Sequence, residues 1–149
     1  MNKMLTLTIV AMSMLFMSCN RMFHAHESDA SSFSTKDMAL VETNSGIRMP
    51  PGSRGLNLYV DGSLDEAFVS KIEIPAAASK AMVSSVQSLP NEEISVVNPL
   101  YSKVNWWLPR RDTIQVERHY VRRTDVVYIH VIVSDEGGRW FVYVCWSPV

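Results

Sequence analysis

The clearest pattern of hydrophobic and polar positions lies in the last third of the chain. Residues 113–122 alternate between two faces, and residues 126–134 are nearly all β-forming. A third run, 139–146, is dense in aromatic and β-branched residues, and Gly137 and Gly138 precede it. Glycines at such a connection are typical of a tight hairpin. The pattern therefore predicts three consecutive antiparallel strands in a meander, with the middle strand the most buried.

A helical pattern precedes these strands. Pro75 and Pro90 flank a stretch of good helix formers in which Ala78, Met82, Val86 and Leu89 recur at i, i+4, i+8 and i+11. Proline is favoured at the start of a helix and just beyond its end. We therefore predict a helix over 76–89, with its apolar stripe packed on a sheet.

Two further strands are predicted before that helix. Residues 55–60 are rich in apolar side chains and end at an Asp-Gly turn signal, and residues 67–74 follow. Ser63 and Glu66 form a capping-box pattern that leaves a helix open as the alternative for residues 63–72. With strands preferred, the order is β-β-α-β-β-β. This order indicates an α+β fold of residues 55–149, with about five antiparallel strands and one packed helix.

The segment before residue 55 has no sustained period of 2 or 3.6. Serines are frequent in it, and it closes with a Pro-Pro-Gly turn at 50–52. We therefore predict that residues 19–54 form a flexible tether. The alternation His24-Ala-His26 within it has a loosely metal-like spacing, but a flexible segment cannot fix coordination geometry, so no metal site is assigned there.

The first residues predict export. Lys3 precedes 14 uncharged residues, 4–17, which suit the core of a signal peptide and fall short of the roughly 20 needed to span a bilayer. The run ends at Ser18-Cys19, which resembles the lipobox of bacterial lipoproteins cut by signal peptidase II. An uncleaved signal anchor and an ordinary secretory leader remain the alternatives.

The lipobox resemblance implies that residues 1–18 are removed and that Cys19 becomes an acylated first residue attached to the membrane through lipid. Because Asn20 stands where aspartate is the common signal for inner-membrane retention, the resemblance favours the periplasmic face of the outer membrane in a Gram-negative host. Two or more acyl chains anchor a protein stably.

Composition and charge limit the classes of partner that the chain is expected to bind. The chain has 149 residues, 47% of them hydrophobic, and a net charge of -1, which is neither a disordered composition nor a generally nucleic-acid-binding one. The charge is uneven, at -4 between residues 19 and 99 and +2 from residue 100 onwards. A basic, tryptophan-bearing region in the second part is the candidate binding surface. It comprises Trp106, Trp107, Arg110, Arg111, Arg118, Arg122 and Arg123, with Lys103 beside them.

The two tryptophans are the most informative part of this region. Neighbouring residues of a strand point to opposite sides, so Trp106 and Trp107 cannot both face one core. We expect one of them at the surface or under a loop, where an aromatic platform beside Arg110 and Arg111 could hold a planar, anionic or sugar-like group. The alternatives are a loop plug over one end of the core and a solvated basic face.

No catalytic, metal or cofactor site is assigned from the sequence. His119 is expected to face solvent and His130 to be a hydrogen-bonded core residue. A Ser-His-Asp triad could be formed in principle by Ser134, His130 and Asp135, but the sequence shows no sharp strand-to-helix turn that would expose a nucleophilic serine. Cys145 is left without a disulfide partner, which suggests a buried small hydrophobe, a reactive thiol or an intermolecular bridge.

The leading functional hypothesis is a non-enzymatic, lipid-anchored envelope protein. Its partner would be an envelope protein or an anionic surface component bound by residues 101–123, and not a nucleic acid, since the protein is predicted to be exported. The alternative is a small-ligand or sugar-binding lipoprotein that uses the Trp106 and Trp107 region. A hydrolase based on His119 or His130 is the third possibility.

Overall fold

The computed structural model describes residues 25–62, 67–94, 99–107 and 109–149, which form an α+β fold. One antiparallel sheet carries six strands in the order β1-β2-β3-β6-β5-β4, with two helices. The strands are β1 His26–Asp29, β2 Arg54–Val60, β3 Phe68–Ile74, β4 Ile114–Arg122, β5 Val127–Asp135 and β6 Trp140–Pro148; the helices are α1 Thr35–Ser45 and α2 Ser79–Gln87.

The predicted C-terminal meander is confirmed. Strands β4, β5 and β6 are sequential neighbours, and β5 is buried at every position except Asp135. The connection between β5 and β6 holds Gly137 and Gly138 at φ 72° and 87°, a region that residues with a Cβ avoid. The alternation of apolar and polar residues therefore predicts the strands, and the two glycines predict the turn between β5 and β6.

The predicted helix over 76–89 forms the crossover between the two halves of the sheet. It begins as a 3₁₀ turn, Ala76–Ala78, and continues as α2, which buries Met82 and Val86. After the crossover the chain forms β4 at the edge of the sheet opposite β1. Strands β5 and β6 then follow inward, and β6 pairs with β3. Residues 68–72 are strand, whereas 63–66 lie outside the described residues.

The prediction of a flexible tether is wrong for residues 26–54. Strand β1 pairs with β2, with Ser28 opposite Leu58, and α1 buries Val41 in the core. A reciprocal capping box of Ser34 and Asp37 starts this helix. Hydrophobic periodicity did not predict α1, because this helix buries few apolar side chains and its 3.6-residue period is weak. Cys19 and the predicted leader lie outside the described residues.

The docking of the segment before β2 gives a first testable prediction. The ring of Phe33 lies over Gly55 so closely that a Cβ at residue 55 would collide with it. Gly55→Ala should therefore lower the free energy of unfolding by about 2 kcal/mol, a typical cost of overpacking, in urea titrations followed by circular dichroism. In a Phe33→Ala background the same substitution should cost almost nothing. An equal cost in both backgrounds would show that Phe33 does not pack there.

The sheet separates two clusters of buried side chains. The helix-side face includes Val41, Met82 and Val86, which come from the two helices. We call the opposite side the second face; it carries Val69, Tyr128, Ile132, Tyr143 and Cys145 from the strands. Residues 99–107, which begin with the 3₁₀ helix Pro99–Lys103 and include Leu100 and Trp107, cover this face in place of an α-helix. No helix among the described residues is long and apolar enough to cross a bilayer.

Candidate functional site

Trp107 lies at the centre of the second face. Its side chain is 1% exposed and stacks on Tyr101, with ring centroids 5.0 Å apart. The rings of His130 and Tyr143 meet it edge-on at 5.9 and 5.8 Å. The expectation that Trp107 belongs to an exposed binding surface is therefore wrong, because the ring plugs the core. Trp106 is only partly buried, so the two neighbours do differ in exposure as the sequence predicted.

Trp106 borders a cleft of about 420 Å³ at one end of the second face. The covering segment and the turn between β5 and β6 form its walls, while β3 and β6 contribute charged and polar groups from the sheet. We call it the Trp106 cleft; its lining residues are Lys71, Trp106, Pro109, Arg110, Thr113, Glu136, Gly137 and Tyr143.

A hydrogen-bonded network centred on Glu136 lies in this cleft. Lys71 on β3 is directly opposite Tyr143 on β6, and both reach the Glu136 carboxylate in the adjoining turn. The Lys71 Nζ donates to Oε2 at 3.2 Å, while the Tyr143 hydroxyl and the Ser134 hydroxyl donate to Oε1. The Lys71 ammonium also lies 4.3 Å from the centre of the Phe141 ring. These contacts hold the network in one geometry.

The network carries fixed charges at neutral pH. Burial alone would raise the pKa of Glu136, but hydrogen bonds from Tyr143 and Lys71 outweigh it and lower the pKa below its ordinary value. Burial, together with the same carboxylate, raises the pKa of Tyr143. Glu136 is therefore a carboxylate and Tyr143 a neutral donor, so the cleft offers a positive, a negative and a neutral polar group side by side.

The predicted arginines do not form one surface. Arg118 and Arg122 belong to the helix-side face of β4, where Arg118 donates to the backbone carbonyl of Gln87 at 3.3 Å. Arg122 forms an ion pair with Asp125 at 2.6 Å. The alternation of a strand sends these side chains away from the second face. The predicted grouping of these two arginines with the tryptophans is therefore wrong.

The other basic residues of that region are exposed or paired at separate places. Arg110 lines the Trp106 cleft and pairs with Asp112 at 3.1 Å, and Arg111 is exposed beside it. Arg123 reaches Glu92 at 3.8 Å. Lys103 contacts Asp61 at 3.2 Å. Of the seven residues in the candidate surface, only Trp106 and Arg110 line the cleft.

A second polar group lies farther along β4 and β5. Glu117 and His119 lie on the same side of β4, and His119 is directly opposite His130 on β5. The His130 Nε2 lies 2.7 Å from the Glu117 Oε1, and its Nδ1 lies 2.6 Å from the Tyr101 hydroxyl. A carboxylate can only accept, so in neutral His130 the proton is on Nε2, and Tyr101 donates to Nδ1. The prediction of a buried, hydrogen-bonded His130 is confirmed.

Ser134, His130 and Asp135 do not form a catalytic triad. The Ser134 hydroxyl donates to Glu136, and both ring nitrogens of His130 have other partners. Asp135 accepts a hydrogen bond from the Gly138 backbone at 2.7 Å and so belongs to the hairpin turn. Burial raises the pKa of the Cys145 thiol to about 12, which fits the buried-hydrophobe interpretation and opposes a thiolate nucleophile.

Sequence reasoning missed the network of Lys71, Glu136 and Tyr143. Its members are separated by 65 and 7 residues, and only the pairing of β3 with β6 brings them together. The one local signal was a lysine on the same face as Val69 in a predicted strand. Comparison with protein-family models, curated proteins and solved structures finds no match to this chain.

Proposed function

We propose that this chain is a lipid-anchored envelope protein that binds an acidic saccharide in the Trp106 cleft and catalyses no reaction. The observation that carries the proposal is the position of Trp106 beside the fixed network of Lys71, Glu136 and Tyr143. The lipobox-like leader ending at Cys19 supports the location in the envelope. Small-molecule sites combine such an aromatic wall with a few convergent polar groups.

Each part of the cleft matches one feature of a sugar. The C–H face of a pyranose ring packs on an aromatic ring, and its hydroxyls need both donors and acceptors. Lys71 supplies the N–H groups that its bond to Glu136 leaves over, while the Glu136 carboxylate and the Tyr143 hydroxyl oxygen supply acceptors, all already oriented by one another. The volume of about 420 Å³ is within the range of about 300–1,000 Å³ typical of ligand sites.

The charge of the cleft favours an acidic sugar over a neutral one. In the lining, Lys71 and Arg110 are two cations against the single carboxylate of Glu136; Asp112, which pairs with Arg110 at 3.1 Å, is exposed, and such a surface pair costs little to exchange for a ligand carboxylate. Arg110 is 79% exposed at its side chain, so a ligand carboxylate can approach the guanidinium from solvent. An arginine and a carboxylate form paired charge-assisted hydrogen bonds, which are among the stronger polar contacts.

The protein-partner hypothesis has less support. It rests on a continuous basic surface, whereas Arg118 and Arg122 lie on the helix-side face and are hydrogen-bonded within the fold. Without those residues, Arg110 is the one arginine of the predicted surface that lines the same cleft as Trp106. A small anionic ligand needs no more than this.

Calorimetric titration tests the proposal directly. The full chain, purified in detergent, should bind trigalacturonate more tightly than the neutral methyl ester of the same trisaccharide. Trp106→Ala should weaken binding of the acid at least about 10-fold, as loss of a central aromatic contact does. Trp140→Ala, which removes a partly buried tryptophan outside the cleft, is the matched control and should leave the affinity unchanged.

Two results would contradict the proposal. One is equal affinity of the wild-type and Trp106→Ala proteins, and the other is no detectable binding of either saccharide by the wild-type chain. Chromatography of the recovered saccharide checks the non-enzymatic part of the proposal, since the trisaccharide should return uncut.

A further inference from the structure

The side chains of Glu117, His119 and His130 form a compact cluster on the second face. Two neighbouring strands build it: Glu117 and His119 are two residues apart on β4, and His130 faces His119 across the β4–β5 ladder. One oxygen or nitrogen from each side chain lies within 4.8 Å of the other two. We call these three residues the histidine–glutamate cluster.

The distances in this cluster are close to those of a metal centre. Zinc lies about 2.0–2.1 Å from nitrogen and oxygen ligands, which places tetrahedral ligand atoms about 3.3 Å apart. The observed separations, 2.7 Å for the closest pair and no more than 4.8 Å for the others, need shifts of about 1.5 Å or less to reach that value. Glu117 is 44% exposed at its side chain and has room for such a shift.

The surroundings already orient the most buried ligand. His130 is 8% exposed, and the Tyr101 hydroxyl contacts its Nδ1 at 2.6 Å, which leaves Nε2 directed at Glu117. The Trp107 ring packs edge-on against the imidazole. A metal-bound histidine donates its second ring N–H to such a partner, which fixes the ring orientation, and the Tyr101 hydroxyl oxygen is placed to accept from Nδ1 once Nε2 binds a metal.

We propose that the histidine–glutamate cluster binds a divalent transition-metal ion of the zinc type. Two imidazoles and one carboxylate favour such an ion over Mg²⁺ or Ca²⁺, which prefer oxygen ligands. Three protein ligands leave the fourth position for water or another small ligand. A metal at Nε2 needs the tautomer of neutral His130 that carries its proton on Nδ1, so the proton moves from Nε2 to Nδ1 and the Tyr101 hydroxyl turns to accept it, with no net release of a proton from His130.

This site is separate from the Trp106 cleft. No residue is common to the two, and the His130 ring of the cluster and the Tyr143 ring of the cleft each contact Trp107, which belongs to neither site. Metal binding therefore does not depend on the proposed saccharide function, and either proposal can fail without the other.

Titration with Zn²⁺ tests the proposal. The full chain should carry a tag without histidine and be purified in detergent, then be titrated by calorimetry. The wild-type chain should bind one zinc ion per chain, and Mg²⁺ should not compete. His119→Asn removes a partly exposed ligand and should weaken binding at least about 100-fold; Tyr101→Phe removes only the supporting hydroxyl and should weaken it about 10-fold.

Controls separate this site from other histidines and from misfolding. His26→Asn, on β1, should keep the wild-type affinity, and metal-free His119→Asn should unfold at the wild-type temperature. With Co²⁺, the wild-type chain should show visible d–d absorption that His119→Asn lacks. The proposal is overturned if the wild-type chain releases no heat with Zn²⁺, if His119→Asn binds as tightly as wild type, or if His26→Asn alone abolishes binding.

Discussion

Trp107→Ala is expected to lower the free energy of unfolding by about 3–5 kcal/mol, the range for a large aromatic side chain removed from a core. Trp107 is 1% exposed and contacts the rings of Tyr101, His130 and Tyr143. Its loss leaves a cavity under residues 99–107, which cover the second face without an α-helix. Urea unfolding followed by far-ultraviolet circular dichroism measures the change.

Trp106→Ala is the matched control for that experiment. The neighbouring ring is only partly buried and borders the Trp106 cleft, so its removal should cost clearly less than removal of Trp107. Equal costs at the two positions would contradict the assignment of Trp107 to the core and of Trp106 to the cleft.

Lys71→Met is expected to lower the free energy of unfolding by about 2–3 kcal/mol at pH 7, between the values for an exposed ion pair and for a fully buried one, because this pair is partly buried. The lysine is 17% exposed and the Glu136 carboxylate 28% exposed at the side chain. Methionine keeps an apolar side chain against the Phe141 ring, so the change in the free energy of unfolding reports the loss of the positive charge. Adding Glu136→Gln should recover part of this loss, because the amide no longer needs a cation.

The cost of Lys71→Met should depend on pH. A carboxyl group with a lowered pKa stabilises the fold above its ordinary value of 4.5, and this contribution is lost as the pH falls through the folded-state pKa. The difference between wild type and Lys71→Met should therefore be largest at neutral pH and shrink below pH 4.5. A difference that stays constant down to pH 3 would show that Lys71 acts through packing rather than charge.

Regular periodicity accounts for what the sequence could predict of the fold. Strands β4 to β6, the α2 stripe of Met82 and Val86, and the glycine turn were all specified by local pattern. Helix α1 and strand β1 were missed because their apolar positions are few and their support comes from Leu58 and Phe33 in tertiary contacts. Local pattern predicts an element only where the element itself carries the apolar face.

The candidate sites were harder to predict than the strands that carry them. Trp106 and Arg110 were chosen because adjacent tryptophans conflict in a strand, and this local conflict located one wall of the cleft. Lys71 and Glu136 lie 65 positions apart and meet only through the strand order β3-β6-β5. The same holds for His130 and its partners on β4, since register across a ladder is set by the whole sheet.

Saccharide binding at the Trp106 cleft is the central claim, and the indole N–H signals of the four tryptophans test it most directly. The full chain, labelled with ¹⁵N in detergent micelles, is titrated with trigalacturonate while each indole signal is followed. Saturable movement of the Trp106 signal, with Trp140 and Trp146 unchanged, is the predicted result. Movement confined to Trp140 or Trp146, or no movement at saturating saccharide, would contradict the claim.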